Sequence, residues 1–210
     1  MTGQAKARGI STLPTGYLLH QTIDIKNERK FQLATQSFFL LIVLAAGTAA
    51  LVFALPLTSG WSLWGTIAVT AISVLVYMAV HEATHGVAIH VLTGIRPFYG
   101  MAFPFLTTGS RAYLSHRSFV IAALAPCIVW GAVLLAAWFL LPADFRLTAY
   151  VVLTLNFAGS AGDFVLIGAV RGQPSGSLVQ DDGAKVRIFV PRDPGHTADP
   201  GHSTPGQQGP

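Results

Sequence analysis

Four long apolar runs follow one another along the chain, and polar residues collect at its two ends. The runs cover about 33–57, 61–93, 118–141 and 147–170. Each exceeds the roughly 20 apolar residues that a helix needs to cross the hydrocarbon of a bilayer. The first closes at Pro56 and the Thr58-Ser59-Gly60 turn, the second at Gly94 with Pro97 beyond it, and the third at Pro142, all helix-stop signals. Trp61 and Trp64 open the second run, where aromatic residues favour the membrane–water interface. The pattern predicts an all-α integral membrane protein with about four transmembrane helices.

One apolar stretch does not suit a helix. Between 98 and 114, Gly100, Pro104, Thr107-Thr108 and Gly109 interrupt it. It predicts two short strands, 98–103 and 111–114, around a turn. Non-helical backbone at membrane depth must be buried in protein or line a wet cavity, so this β-hairpin or re-entrant loop is expected beside a site. Around the membrane domain, 33–171, lie polar segments. The N-terminal one, 1–32, is expected to be cytoplasmic, disordered over its first 15 residues and a short strand or interfacial helix over 16–32. A cytoplasmic extension, 172–190, holds one possible strand at 184–190. The Pro-, Gly- and His-rich tail, 191–210, is expected to be disordered.

Composition agrees with the pattern. Of 210 residues, 52% are hydrophobic and only 10% charged, against about a quarter charged in a soluble domain. Between Gln36 and Val170 the charged residues are Glu82, Arg96, Arg111, Arg117, Asp144, Arg146 and Asp163. No apolar core near the start suggests a cleavable signal peptide, so the first run reads as a retained anchor. Five Lys and Arg precede the first run, none lie between the first two, three lie at 96–117, one between the last two and four after Val170. This alternation predicts both termini in the cytoplasm, in the plasma membrane. The net charge of +4 flanks apolar runs, where anionic lipid accounts for it, and gives no reason to expect nucleic acid. The one cysteine, Cys127, reads as a small packed hydrophobe.

The second run carries His81-Glu82-Ala83-Thr84-His85. On a helix, imidazoles at i and i+4 lie one turn apart on one face, where both can bind one zinc ion. The glutamate between them is placed to take a proton from zinc-bound water. With seven histidines in the chain, shuffling would produce this pattern in roughly 0.2% of chains, so the match is informative. An unpaired carboxylate inside an apolar span is costly, and a metal would relieve that cost. The competing view makes His81 and His85 interhelical polar contacts beside a protonated Glu82.

Catalytic zinc takes a third protein ligand and keeps one open position. Asp163 is the other carboxylate inside a run. It lies about 12 Å from the cytoplasmic end of the fourth span, and His85 roughly 15 Å from that side, so their depths agree. His90, at i+5 from His85, turns off the shared face, and His116 lies outside the span. Asn156, two turns before Asp163, suits either a hydrogen bond to substrate backbone or an oxyanion, or an interhelical contact. Gly159 and Gly162 would either thin the helix so that Asp163 reaches the metal or serve packing.

Three features together resemble a family of small bacterial membrane proteins, the putative zincin peptidases, and more distantly the site-2 proteases. They are His81-Glu82-x-x-His85 in a span; Tyr113-Leu114-Ser115 leading into a span with Ala125-Pro126; and Asn156-x-x-Gly159-Ser160-x-Gly162-Asp163 followed by Leu178-Val179-Gln180-Asp181. The resemblance implies His81, His85 and Asp163 as ligands of one catalytic zinc and Glu82 as base. It departs from site-2 proteases in that Phe164, not glycine, follows Asp163, and no Asn-Pro is present. The expected activity is a membrane-embedded zinc metalloprotease acting on a membrane protein or peptide. A metal transporter or sensor would use the same histidines without Glu82 as base, but such proteins usually show repeated halves, and none is visible here. A non-catalytic scaffold is the third possibility. Two histidines and one carboxylate also bind divalent metals other than zinc.

Overall fold

The structure, a computed structural model, describes residues 10–102 and 105–192. Of the stretches expected to be disordered, 1–15 and 191–210, residues 1–9 and 193–210 lie outside the described residues, while Ile10 forms a bridge and Pro191 ends a strand.

The chain is mostly helical. Among the described residues, four helical segments are long and apolar enough to cross a membrane: Arg29–Val52 (α1), Leu63–Thr93 (α2), His116–Leu140 (α3) and Ala143–Arg171. The first starts and ends a few residues earlier than its hydropathy implies, because Arg29 and Lys30 already join the helix. Ser62 caps α2, its hydroxyl accepting from Gly65 N at 3.2 Å. Gly94 ends that helix in the left-handed conformation, φ 74°, its N–H bonding to His90 O. Ser115 caps α3 in the same way as Ser62 caps α2.

The fourth segment is not one helix, as hydropathy suggested. After a short 3-10 turn it divides into Arg146–Gly159 (α4) and Ala161–Arg171 (α5), separated at Ser160, whose φ and ψ are −76° and 5°. The Ser160 hydroxyl bonds back to Asn156 O at 2.9 Å, and its carbonyl accepts from Phe164 N to begin α5. Apolar residues on both sides of the break conceal it from a hydropathy reading.

Besides the helices and the expected hairpin, the described residues form a four-stranded sheet that the all-α reading did not include. Tyr17–Asp24 (β1), Leu114–Ser115 (β4), Leu178–Asp181 (β5) and Lys185–Pro191 (β6) form a four-stranded sheet in the order β1-β6-β5-β4. Thus 172–190 carries two strands where one was expected, and Ile10 already bridges to Tyr113. Phe98–Ala102 (β2) and Phe105–Gly109 (β3) form the hairpin. Its second strand is therefore not 111–114. That segment leads instead into β4, which pairs Leu114 with Val179 of β5, a partner far away in sequence.

The best-buried core lies where the four-stranded sheet meets the adjacent ends of α1, α3 and α5. Ile23, Phe31, Leu114, Phe119, Val170 and Ile188 meet there. Farther along the helices many large apolar side chains are exposed, among them Leu41, Leu75 and Phe139. Such a surface would drive aggregation in water and suits contact with lipid.

The β5–β6 turn also holds the hairpin. Ser110 N donates to Asp181 O at 2.7 Å. A Cβ on Gly109 would lie 2.6 Å from the backbone of Asp182 and 2.7 Å from the Phe98 ring, so only glycine fits. Gly109→Ala should therefore undock the hairpin from the turn, costing about 1–3 kcal/mol, read as a lower unfolding midpoint and earlier protease cleavage near 98–110. Unchanged midpoint and cleavage would show that the backbone yields.

Asp181, the last residue of β5, leads into this turn outside the membrane-spanning helices, with Oδ1 accepting from Gly183 N at 2.8 Å. Burial pushes its carboxyl up to about 7, against the pull of that hydrogen bond. An unfolded aspartate ionises near 3.9. Between these values the native chain holds a proton that the unfolded chain has lost, so this group's contribution to stability falls as pH rises from about 4 to 7. Asp181→Asn should remove that loss. Its tryptophan-fluorescence unfolding midpoint in detergent should gain on wild type by roughly 3 °C or more between pH 5 and 7.5. Parallel midpoints across that range would contradict a half-buried Asp181 that holds its proton.

Candidate metal centre

His81 and His85 lie on one face of α2, as i and i+4 require, with their rings 5.0 Å apart between centroids. Asp163 comes to them from the first turn of α5. The break at Ser160 thereby gives the carboxylate a helix N-terminus, whose free N–H groups favour negative charge. His81 Nε2 lies 3.8 Å from Asp163 Oδ2, and His85 Nε2 lies 3.6 Å from Asp163 Oδ1. These separations exceed hydrogen-bond distance. One ligand atom from each of the three residues lies within 4.8 Å of the others. A tetrahedral zinc with nitrogen and oxygen ligands sets its donors about 3.4 Å apart, so a small contraction would close this set on an ion. The donor set fits zinc.

Each imidazole has a partner on its far nitrogen. His85 Nδ1 is 3.0 Å from the carbonyl of Ala122 in α3. His81 Nδ1 is 2.8 Å from the Tyr77 hydroxyl one turn earlier on α2. Tyr77 also donates to Asn156 Oδ1 at 3.0 Å, and Asn156 Nδ2 donates to Cys127 O at 2.9 Å. Asn156 has no exposed surface, so the contacts of its amide are with α2 and α3. Trp130 of α3 donates to Thr84 at 2.9 Å, tying the two helices together at the same level.

Glu82 belongs to the next face of α2. The Thr108 hydroxyl of β3 lies 2.9 Å from its Oε2 and 2.8 Å from its backbone carbonyl. Beside Glu82 and His81 opens a cleft of about 260 Å³. Its walls are Phe39 of α1, Val74, Tyr77 and Met78 of α2, Leu106 of β3, and Leu155 and Gly159 of α4. A Cβ on Gly159 would meet nothing within 4 Å, so this glycine borders open space. Gly162 faces α1, where a Cβ would make ordinary contact with Phe31 and Thr35 at 3.9 Å.

The other candidates fall elsewhere. His90 points its Nδ1 at Ile95 O beyond the end of α2, and His116 is the first residue of α3. Neither joins the three-residue cluster found among the described residues. Tyr77 and Thr108 were not picked out from the sequence. Tyr77 had a local signal, since i−4 from His81 puts a polar ring on the same helix face. Thr108 had none, because its contact depends on how the hairpin folds over α2.

The sequence profile of a family described as "Putative zincin peptidase" matches residues 74–178. This stretch runs from the middle of α2 into β5 and includes the histidine motif, the hairpin and Asp163. Neither the curated proteins nor the solved structures contain a match to this chain. The match covers half of the chain, and the protein belongs to the family of putative zincin peptidases.

Proposed function

We propose that this chain is a membrane-embedded zinc metalloprotease in which His81, His85 and Asp163 hold one zinc ion and Glu82 is the general base. The observation that carries the reading is the convergence of these three ligand atoms within four membrane-compatible helices, with a second acidic side chain, Glu82, lining the cleft beside His81. A zinc ion held by His81, His85 and Asp163 would supply Lewis-acid chemistry, polarising a carbonyl and acidifying water.

The chain's own groups do the rest. Thr108 holds Glu82 Oε2 and leaves Oε1 to take the proton of the attacking water and pass it to the leaving amine nitrogen. The cleft beside Glu82 suits an apolar side chain of the substrate, with Gly159 leaving it space. The free edge of the hairpin is a place for an unwound peptide to pair. The substrate class is thus an apolar segment of a membrane protein or peptide. In this reading the hairpin is re-entrant, and the sheet face is cytoplasmic, with both termini on that side. The sheet joins β1, before α1, to β5 and β6, after α5, and so brings both ends of the helical unit to one face. Lysine and arginine alternation points that face to the cytoplasm of the plasma membrane.

The test is metal analysis of detergent-purified protein, followed by peptide-library digestion read by mass spectrometry. Wild type should hold about one zinc per chain, and His81→Ala and Asp163→Ala should lose it. Glu82→Gln should keep the metal and lose peptide cleavage by roughly 10²–10⁴-fold. Zinc held normally with no cleavage by wild type would favour a metal carrier or sensor. Folded wild type that takes up no zinc would sink the reading.

A further inference from the structure

α3 contains a proline, Pro126, well inside the helix. Proline has no N–H, so the carbonyl four residues earlier loses its usual helical donor. That carbonyl belongs to Ala122, which is 4% exposed. A buried carbonyl needs a donor from somewhere. Here the donor is His85, whose Nδ1 lies 3.0 Å away. A carbonyl can only accept, so Nδ1 carries the imidazole proton. In the neutral imidazole, the form that can bind a metal, Nε2 is then left with its lone pair on the side where Asp163 lies.

The residue after the proline does the same for His81 through two intermediaries. The Cys127 carbonyl accepts from Asn156 Nδ2, which fixes the amide so that Oδ1 faces Tyr77. Tyr77 has one hydroxyl proton and gives it to Oδ1. Toward His81 it can then only accept, so His81 Nδ1 is protonated and Nε2 holds its lone pair. Gly131 makes room for this amide; a Cβ there would sit 3.2 Å from Asn156 Nδ2 and 3.4 Å from the Phe157 ring.

Both histidines thus end in the same tautomer, set by two backbone carbonyls of one helix on either side of a proline. We propose that Pro126, Tyr77 and Asn156 are positioning residues of the metal centre. Pro126 acts by releasing the Ala122 carbonyl for His85, and Asn156 and Tyr77 by relaying the Cys127 carbonyl to His81. The proposal rests on the reading of His81, His85 and Asp163 as metal ligands. Of the two roles that its place in the sequence left open, a substrate contact and an interhelical contact, it builds on the second for Asn156. Partners on the far nitrogen of a ligating imidazole commonly change metal affinity by 10–100-fold.

Tyr77→Phe and Pro126→Ala separate this role from packing. Tyr77→Phe keeps the ring and removes the acceptor of His81. Pro126→Ala restores a helical N–H to compete for the Ala122 carbonyl, and it removes a residue that weakens a helix interior. The measurements, on full-length protein in detergent, are zinc affinity by competition with a chromophoric chelator, the visible spectrum of the cobalt(II) form, and the unfolding midpoint of the metal-free form. Zinc binding should weaken by about 10–100-fold in Tyr77→Phe and about 10-fold in Pro126→Ala, with altered cobalt bands in both. The metal-free midpoint of Pro126→Ala should hold or rise. Packing residues would instead shift the metal-free midpoint and leave zinc affinity alone. Wild-type zinc affinity and cobalt spectra in both variants would overturn the inference while leaving the site intact. A wild-type chain that binds neither metal would overturn this inference together with the proposed function.

Discussion

A carboxylate inside an apolar helical bundle is the constraint on which the centre of this structure depends. Asp163 gains little from water, and its charge must be met by the protein or by an ion. Three local features answer that demand. Ser160 breaks the fourth span so that Asp163 falls in the first turn of a new helix. α2 places two imidazoles one turn apart opposite it. α3, with Pro126 inside it, supplies carbonyls that hold those imidazoles from behind. Take away any of these and the others lose their reason, because buried polar groups left half satisfied cost more than an apolar core.

The sheet outside the bundle is connected to this centre. β5 and β6 end in a turn whose backbone meets Gly109 and Ser110 at the end of β3. Thr108, the next residue back, touches Glu82. A continuous path of backbone contacts and one hydroxyl thus links the extramembrane strands to the acidic side chain beside the histidines. β1 and β6 pair along most of their length, so the segments before the first helix and after the last are one structural unit.

Much of this was legible in the sequence where the signal is local. Helix ends at Gly94 and Pro142 and the pairing of His81 with His85 follow from nearest-neighbour chemistry. Asp163 was found by depth arithmetic, which works because helices advance at a fixed rise. What escaped depends on contacts between distant segments. Leu114 reads as the end of a hairpin strand until Val179 is seen to pair with it. The break at Ser160 is invisible to hydropathy because Ala158 and Ala161 are as apolar as any helix interior. Asn156 lies near Asp163 in sequence, but its amide turns to Tyr77 and Cys127. Pro126 was noted as a helix feature, yet its consequence appears only when His85 is found opposite the carbonyl it frees.

Charge explains why these supporting groups are neutral. In the proposed centre zinc would bring two positive charges, Asp163 and Glu82 would bring one negative charge each, and both histidines would ligate in their neutral form. Such a loaded centre would be electrically balanced, the least costly condition in a medium of low dielectric constant. Many zinc histidines lean on a carboxylate. A carboxylate in place of the Ala122 carbonyl or the Tyr77 hydroxyl would leave this centre with a net negative charge among apolar helices. Backbone carbonyls and a phenol orient the imidazoles just as well and add no charge. A proline is an economical source of such a carbonyl, because it frees one inside a helix without unwinding a turn.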